Sequence, residues 1–137
     1  MRKLKKQPSM IFQLEKVDQF HKTFKIGAAP KTPCLIDEKE YLLRYNLMTE
    51  EKREYLEACK NGDIVEIADA LGDQLYVLFG TILKHGLHDD MFSIFDEIHR
   101  SNMSKLDENG KPILRKDGKI LKGQNYFKPN IKRILKP

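Results

Sequence analysis

Six acidic residues in two short segments have the types and spacing of a metal site. They are Glu50, Glu51 and Glu54 in TEEKREYLEA, and Glu66, Asp69 and Asp73 in EIADALGDQLYVLFG. At about 100° of rotation per helical residue, each trio falls on one sector of its helix. Facing sectors would bring five or six carboxylates together, and these repel unless cations lie between them. Hard oxygen ligands around an open site suit Mg²⁺ or Mn²⁺.

The competing interpretation is that these acids form a solvated helix face, which is the usual role of such stripes. Two features of the second segment argue against it. No charged residue lies between Asp73 and Lys84, so this helix is expected to be buried on most sides. Gly72 and Gly80 each lower helix stability by about 1 kcal/mol relative to Ala, which close packing or the approach of a ligand would explain.

The elements that position the acids are predicted to be helices. An amphipathic helix is expected over residues 10–25, and a short one from Asp37 to Tyr45. Thr49 is the predicted N-cap of a further helix that ends at Asn61–Gly62. Asp63 is expected to cap the longest helix, over residues 64–85. Because the intervening turn is short, these two acid-bearing helices should pack antiparallel.

The C-terminal part is predicted to contain one more long helix and a basic arm. The helix is expected over residues 89–104, with a buried side made of Ile94, Phe95, Ile98 and Met103. Asp117–Gly118 between two β-prone runs predicts a hairpin with a type I′ turn, and Pro129 opens a last short helix. The sequence therefore predicts one all-α domain over residues 1–137. We expect a four-to-five-helix bundle with a small C-terminal β-hairpin arm, residues 106–137.

Charge is distributed unevenly along the chain. Residues 37–99 carry 15 acidic and 6 basic side chains, whereas both flanking segments are net basic. This suits an anionic ligand that brings divalent cations, although solvated basic tails or nonspecific contact with nucleic acid would give the same pattern. No apolar run is long enough to span a membrane, and the basic start MRKLKKQPSM lacks the apolar stretch of a signal peptide. Cys34 and Cys59 are interpreted as reduced, packed thiols, so a cytoplasmic protein is expected.

The paired acidic segments resemble those of MazG-like and phosphoribosyl-ATP-pyrophosphohydrolase-like proteins, a superfamily that also includes dimeric dUTPases. Their motif is roughly EExxE on one helix and ExxD on the next. FDEIHRSNMSKLD (95–107), Phe20–His21 and the P-x-x-P at Pro30–Pro33 are similar to one bacterial and phage branch. The resemblance covers roughly residues 15–130. It implies cleavage of a nucleoside triphosphate between the α and β phosphates.

The resemblance also implies roles for individual residues. Metal ligands would be Glu51, Glu54, Asp69, Asp73 and Glu66, with the register of the second motif open between Glu66/Asp69 and Asp69/Asp73. Glu50 is the candidate catalytic base, or else an acid that the helix dipole favours in the first turn. The candidate substrate-binding residues are Arg100, Asn102, Lys105 and Lys122 for phosphate or sugar, and His21 and Phe24 for the base. His21 is alternatively a core residue. Arg100 and Lys105 are alternatively cations favoured at a helix C-terminus, and Lys122 is alternatively solvated.

The resemblance implies a homodimer or homotetramer, and the mostly apolar stretch 74–83 gives an independent reason to expect a partner subunit. The main alternative function is a basic nucleic-acid-binding helical module without catalysis. Its stacking groups would be Tyr126 and Phe127. The acidic centre of the chain makes binding of nucleic acid the less favoured prediction.

Overall fold

The structure is a computed structural model that describes residues 9–136; the basic start of the chain, residues 1–8, lies outside this range. Within it are five helices and one antiparallel hairpin, which confirms the predicted all-α class with a C-terminal hairpin. The helices are α1 (Met10–Thr23), α2 (Glu38–Asn61), α3 (Ile64–Lys84), α4 (Met91–Met103) and α5 (Ile131–Leu135), and the strands are β1 (Ile113–Leu114) and β2 (Ile120–Leu121). None of these helices combines the length and apolar character needed to cross a bilayer.

Helix α2 is one continuous helix of 24 residues. Asp37 caps its start, where the side-chain oxygen accepts from the Glu40 N–H at 2.9 Å. No Gly or Pro interrupts the segment, so nothing breaks the helix between the two predicted pieces. The prediction that Thr49 is an N-cap is wrong, because its hydroxyl donates to the Tyr45 carbonyl oxygen within the helix, at 2.9 Å.

The first compact unit, up to His88, contains α1, α2 and α3. Gly62, with φ 63°, ends α2 in the left-handed conformation that glycine tolerates best. The Asp63 carboxylate then accepts from the N–H groups of Val65 and Glu66, as an N-cap does. Because the connection is so short, α2 and α3 pack antiparallel. Helix α1 packs against α3. The buried apolar residues of this unit are Leu14, Val17, Ala58, Ala70, Ile82 and Leu83.

Several predicted core positions are exposed. Leu71, Leu75 and Leu78 on α3 are 44–47% exposed, so the prediction that this helix is buried on most sides fails for the single chain. Cys34 and Cys59 are exposed free thiols rather than packed ones. Phe95, Ile98 and Met103 on α4 are also exposed, and of the four predicted buried residues there only Ile94 is buried.

The second compact unit begins at Asp89 and contains α4, the hairpin and α5. In the hairpin, Ile113 pairs with Leu121 and Leu114 with Ile120. The predicted type I′ turn is wrong. That turn needs positive φ at two successive residues, whereas Gly118 has φ 87° and Asp117 is not among the residues with positive φ.

Helix α4 holds the segment after the hairpin through buried polar side chains. The Ser101 hydroxyl donates to the Phe127 carbonyl oxygen at 2.7 Å, and the Phe127 N–H donates to the Ser104 hydroxyl at 3.2 Å. The Asn130 N–H donates to a carboxylate oxygen of Glu97 at 2.9 Å. Glu97 and Ser101 are buried. Helix α4 therefore buries hydrogen-bonding groups where the sequence predicted apolar ones.

Glu97 is the residue on which this anchoring converges. Arg100 donates to both of its carboxylate oxygens, at 3.0 and 2.9 Å, and Arg133 lies 3.7 Å from it. The hydrogen bonds from Arg100 and from the Asn130 backbone lower the pKa of Glu97 from 4.5 to about 2. The ionised carboxylate therefore stabilises the fold above about pH 4.5, and this contribution disappears as the pH falls through about 2.

We predict that Glu97→Gln lowers the melting temperature at pH 7 by several degrees, because a buried charged acceptor with three donors is removed. The difference from the unaltered protein should shrink as the pH falls from 4.5 towards 2, where Glu97 itself becomes protonated. Thermal denaturation followed by circular dichroism measures both effects. Asp96→Asn, at an exposed neighbouring carboxylate, is the matched control. An equal difference at every pH would contradict the prediction.

Candidate active site

Three carboxylates from α2 and α3 converge in the first unit. One oxygen each from Glu51, Glu54 and Asp73 lies within 4.8 Å of the other two. The antiparallel pairing of α2 and α3 sets the Asp73 side chain opposite the two glutamates. One carboxylate oxygen of Glu51 is buried and accepts no hydrogen bond within the described part of the chain. An oxygen-rich cluster with an unsatisfied buried acceptor fits a hard divalent cation.

The electrostatics of the cluster show the mutual repulsion of its carboxylates. Burial, then the charge of Glu54 and a side-chain hydrogen bond with it, and then the charges of Asp73 and Asp69, raise the pKa of Glu51 from 4.5 to about 7. Burial, followed by the charges of Asp69 and Glu54, also raises the pKa of Asp73. Both groups resist ionisation, first because burial disfavours the charged form and then because each new negative charge adds to those already present. A bound cation would reverse this effect.

The other predicted acids lie around this cluster rather than in it. Asp69 is exposed one turn from Asp73 and acts on Glu51 and Asp73 through its charge. Glu66, Asp69 and Glu54 line a groove of about 360 Å³ on the same pair of helices. Glu50 is exposed on α2 and is not a member of the cluster. The roles of Glu50, Glu66 and Asp69 therefore stay predictions.

A cavity of about 360 Å³, which we call the aromatic cavity, adjoins the carboxylate cluster. It is lined by Phe20, His21, Ile26, Arg44, Leu47, Glu51, Asp73, Tyr76 and Val77. The Phe20 and Tyr76 rings meet edge to face with centroids 5.6 Å apart. The Phe24 ring packs against Phe20 at 4.5 Å but is 65% exposed and does not line the cavity. Glu51 and Asp73 thus belong both to the cluster and to an apolar space of ligand size.

Two of the side chains that line this cavity are polar and buried, and both lie against Gly80. His21 is 4% exposed and Arg44 is 6% exposed. Burial, and then the positive charge of Arg44, lowers the pKa of His21, so its imidazole is neutral at pH 7. Gly80 makes room for both residues, because a Cβ there would lie 2.5 Å from the Arg44 guanidinium and 2.9 Å from the imidazole. This close approach explains Gly80, whereas nothing lies within 4 Å of an added Cβ at Gly72.

The remaining predicted binding residues belong to the second unit. Arg100 is bound to Glu97, and its guanidinium lies 4.3 Å from the centroid of the Phe127 ring. Asn102 is exposed. The Lys105 carbonyl oxygen accepts from the Gly123 N–H. The Lys122 ammonium lies 4.7 Å from the centroid of the Tyr126 ring. Their proposed contacts with a nucleotide stay predictions.

Sequence reasoning missed Arg44 and Tyr76. Arg44 lies seven residues before Glu51 and Gly80 seven residues after Asp73, so each pair shares one helix face, two turns apart. The spacing of Arg44 and Glu51 shows a shared face only if both lie on one helix, and the sequence predicted two helices in place of α2. Tyr76 lies three residues after Asp73 and shares its helix face, but its place in the cavity also depends on Phe20 of α1.

Comparison with known proteins identifies the family. The model of the phosphoribosyl-ATP pyrophosphohydrolase family matches residues 17–102, which is more than half of the chain. The chain therefore belongs to this family, within the MazG-like all-α NTP pyrophosphohydrolase superfamily. Comparison with individual curated proteins gave no match. Family membership supports a hydrolase that acts on the phosphoric anhydride of a nucleotide.

We predict that Glu51→Gln stabilises the metal-free protein at pH 8, because the substitution removes a charge that the folded state disfavours. The raised pKa means that this penalty is full above about pH 7 and absent below about 4.5, so the gain should vanish as the pH falls towards 4.5. Melting temperatures in a chelating buffer measure it. Glu57→Gln, at an exposed acid on the same helix, is the control and should show no such dependence. Destabilisation by Glu51→Gln at pH 8 would show a structural role instead.

Proposed function

We propose that the protein hydrolyses a nucleoside triphosphate between its α and β phosphates, releasing a nucleoside monophosphate and pyrophosphate. The observation that carries this proposal is the convergence of Glu51, Glu54 and Asp73 beside a cavity of nucleoside size. The family supplies the reaction type, and phosphoribosyl-ATP, the substrate after which the family is named, is the alternative. A cavity of about 360 Å³ suits one nucleoside better than a base that carries a second ribose phosphate.

We assign Mg²⁺, or Mn²⁺, to the carboxylate cluster. Glu51, Glu54 and Asp73 would hold the cation, and Asp69 and Glu66 would add negative charge nearby. A divalent cation held by these residues would offset the negative charge of the triphosphate and polarise the α phosphorus. The unsatisfied buried oxygen of Glu51 supports the assignment, since a buried acceptor without a donor is unfavourable.

Hydrolysis needs a base as well as charge neutralisation. A water oxygen attacks the α phosphorus, the α–β anhydride bond breaks, and pyrophosphate leaves with the bonding electron pair. We assign Glu50 to accept the proton of that water, because it lies beside Glu51 at the motif position of the base. His21 would contact the nucleobase of the substrate, and Phe24 would support this contact from behind Phe20. Arg100, Asn102, Lys105 and Lys122 are the proposed contacts for phosphate and sugar.

We predict that pyrophosphate release from a panel of triphosphates requires Mg²⁺ or Mn²⁺ and stops in chelator. Asp73→Asn and Glu54→Gln should each weaken metal binding at least tenfold, measured by calorimetry, and lower kcat/KM by two or more orders of magnitude. Glu57→Gln should change neither. Metal-independent hydrolysis, or unaltered metal affinity in both cluster variants, would exclude the site. A panel that includes phosphoribosyl-ATP distinguishes the two substrates.

We also propose that the protein acts as a homodimer or homotetramer. The exposed residues Leu71, Leu75 and Leu78 of α3 lie at spacings of four and three and form an apolar stripe. Together with Met48, Lys52 and Gln74 they line a groove of about 450 Å³ between α2 and α3.

We predict that the double substitution Leu75→Glu with Leu78→Glu shifts the protein to monomers in sedimentation-velocity experiments, because it places two charges in an apolar interface. Leu35→Glu is the matched control, since Leu35 is 95% exposed and lies outside the helices. An unchanged oligomer in the α3 variant, or a monomeric unaltered protein, would contradict the proposal.

We propose that both compact units serve one function, since the family match runs from α1 into α4. A cytoplasmic location is supported by the two free thiols, which suit a reducing compartment. We do not favour the nucleic-acid alternative. Each of its two stacking candidates, Tyr126 and Phe127, already has a cation of the same chain over its ring.

A further inference from the structure

Arg44 is a buried cation whose hydrogen-bonding capacity is only partly used. Its Nε donates to the Thr81 hydroxyl at 3.0 Å and one terminal nitrogen donates to the Val77 carbonyl oxygen at 2.8 Å. These two bonds hold the guanidinium in place. Because a guanidinium has five N–H donors, three of them remain available to a ligand in the described part of the chain. Within residues 9–136, Arg44 makes no ion pair, and the neighbouring Glu40 is paired with Lys84 at 3.2 Å. Arg44 lines the aromatic cavity.

The walls of that cavity restrict what could accept these hydrogen bonds. Apart from Glu51 and Asp73, Arg44 shares the cavity mainly with aromatic and aliphatic side chains: Phe20, Ile26, Leu47, Tyr76 and Val77. Such walls suit a flat heterocycle. The negative charge of a triphosphate is better stabilised at the carboxylate cluster, by the cations proposed to bind there. The base of a bound nucleotide would then lie against Arg44.

We propose that Arg44 selects the base, favouring nucleotides with a carbonyl oxygen at C4 of a pyrimidine or C6 of a purine over those with an exocyclic amine at that position. This inference rests on the proposed function, because it assumes a nucleotide in the cavity. Arginine donates hydrogen bonds and accepts none. A carbonyl oxygen pairs with it, whereas an amine facing it leaves buried donors opposed to donors. Gly80 and Thr81 therefore act as positioning residues for Arg44, the first by leaving space and the second as an acceptor.

Two substrate pairs that differ in this group test the proposal: dUTP with dCTP, and dITP with dATP. For whichever pair is hydrolysed faster, kcat/KM of the unaltered protein should favour the carbonyl member by about ten- to a hundredfold. Arg44→Gln should bring the ratio near one, because a carboxamide both donates and accepts. Arg44→Lys should keep the preference at lower kcat/KM. If Arg44→Gln does not fold, Thr81→Val replaces it and should reduce the ratio by releasing the guanidinium.

A ratio near one in the unaltered protein would overturn the proposal, as would equal losses for both members of the pair in Arg44→Gln. A purely structural role predicts the latter, since a damaged fold lowers both rates alike. Calorimetry with dUMP and dCMP measures the affinity of the aromatic cavity for each base without any hydrolysis. Tighter binding of dUMP that is lost in Arg44→Gln would support the inference even if no triphosphate were cleaved, and that absence of cleavage would exclude the proposed function alone.

Discussion

The repulsion between Glu51, Glu54 and Asp73 is the constraint on which the first unit depends. Their carboxylates lie within 4.8 Å of one another because α2 and α3 are joined by a connection too short to allow any other pairing. The same two helices bury Ala58 and Ala70, and this apolar burial offsets the unfavourable term. The site is therefore built at the expense of stability in the metal-free protein, as expected where function needs like charges together.

Local signals in the sequence predicted most of the first unit correctly. The cap at Asp63 and the glycine stop at Gly62 depend only on nearby residues, and the structure has both. The N-cap at Thr49 was wrong because a capping residue inside an uninterrupted helix bonds back along that helix. The convergence of the acids was predictable because the short turn fixes the pairing. The burial of Arg44 was not, since it depends on Thr81 and Gly80 of another helix.

The second unit shows the opposite balance. Periodicity predicted an apolar face for α4, yet Glu97 and Ser101 are buried and Phe95 is 69% exposed. Sequence pattern alone could not reveal this, because the partners of these polar groups, Phe127 and Asn130, lie more than twenty residues away. Part of the HRSNMSK block that resembles the family thus has a structural role in this chain. Its serines bind backbone groups of the C-terminal arm, which makes the arm an integral part of the unit.

The short connection between α2 and α3 also bears on how the chain folds. Most contacts of the first unit join two helices that are adjacent in sequence, so little chain entropy is lost when they meet. Proteins with such local contacts fold fast, and we expect this helical hairpin to form early. The carboxylates would then oppose one another already in the transition state, which makes their repulsion a barrier to folding as well as a strain on the native state. Divalent cations would lower that barrier, so that the cation proposed for the carboxylate cluster would also speed maturation of the newly made chain.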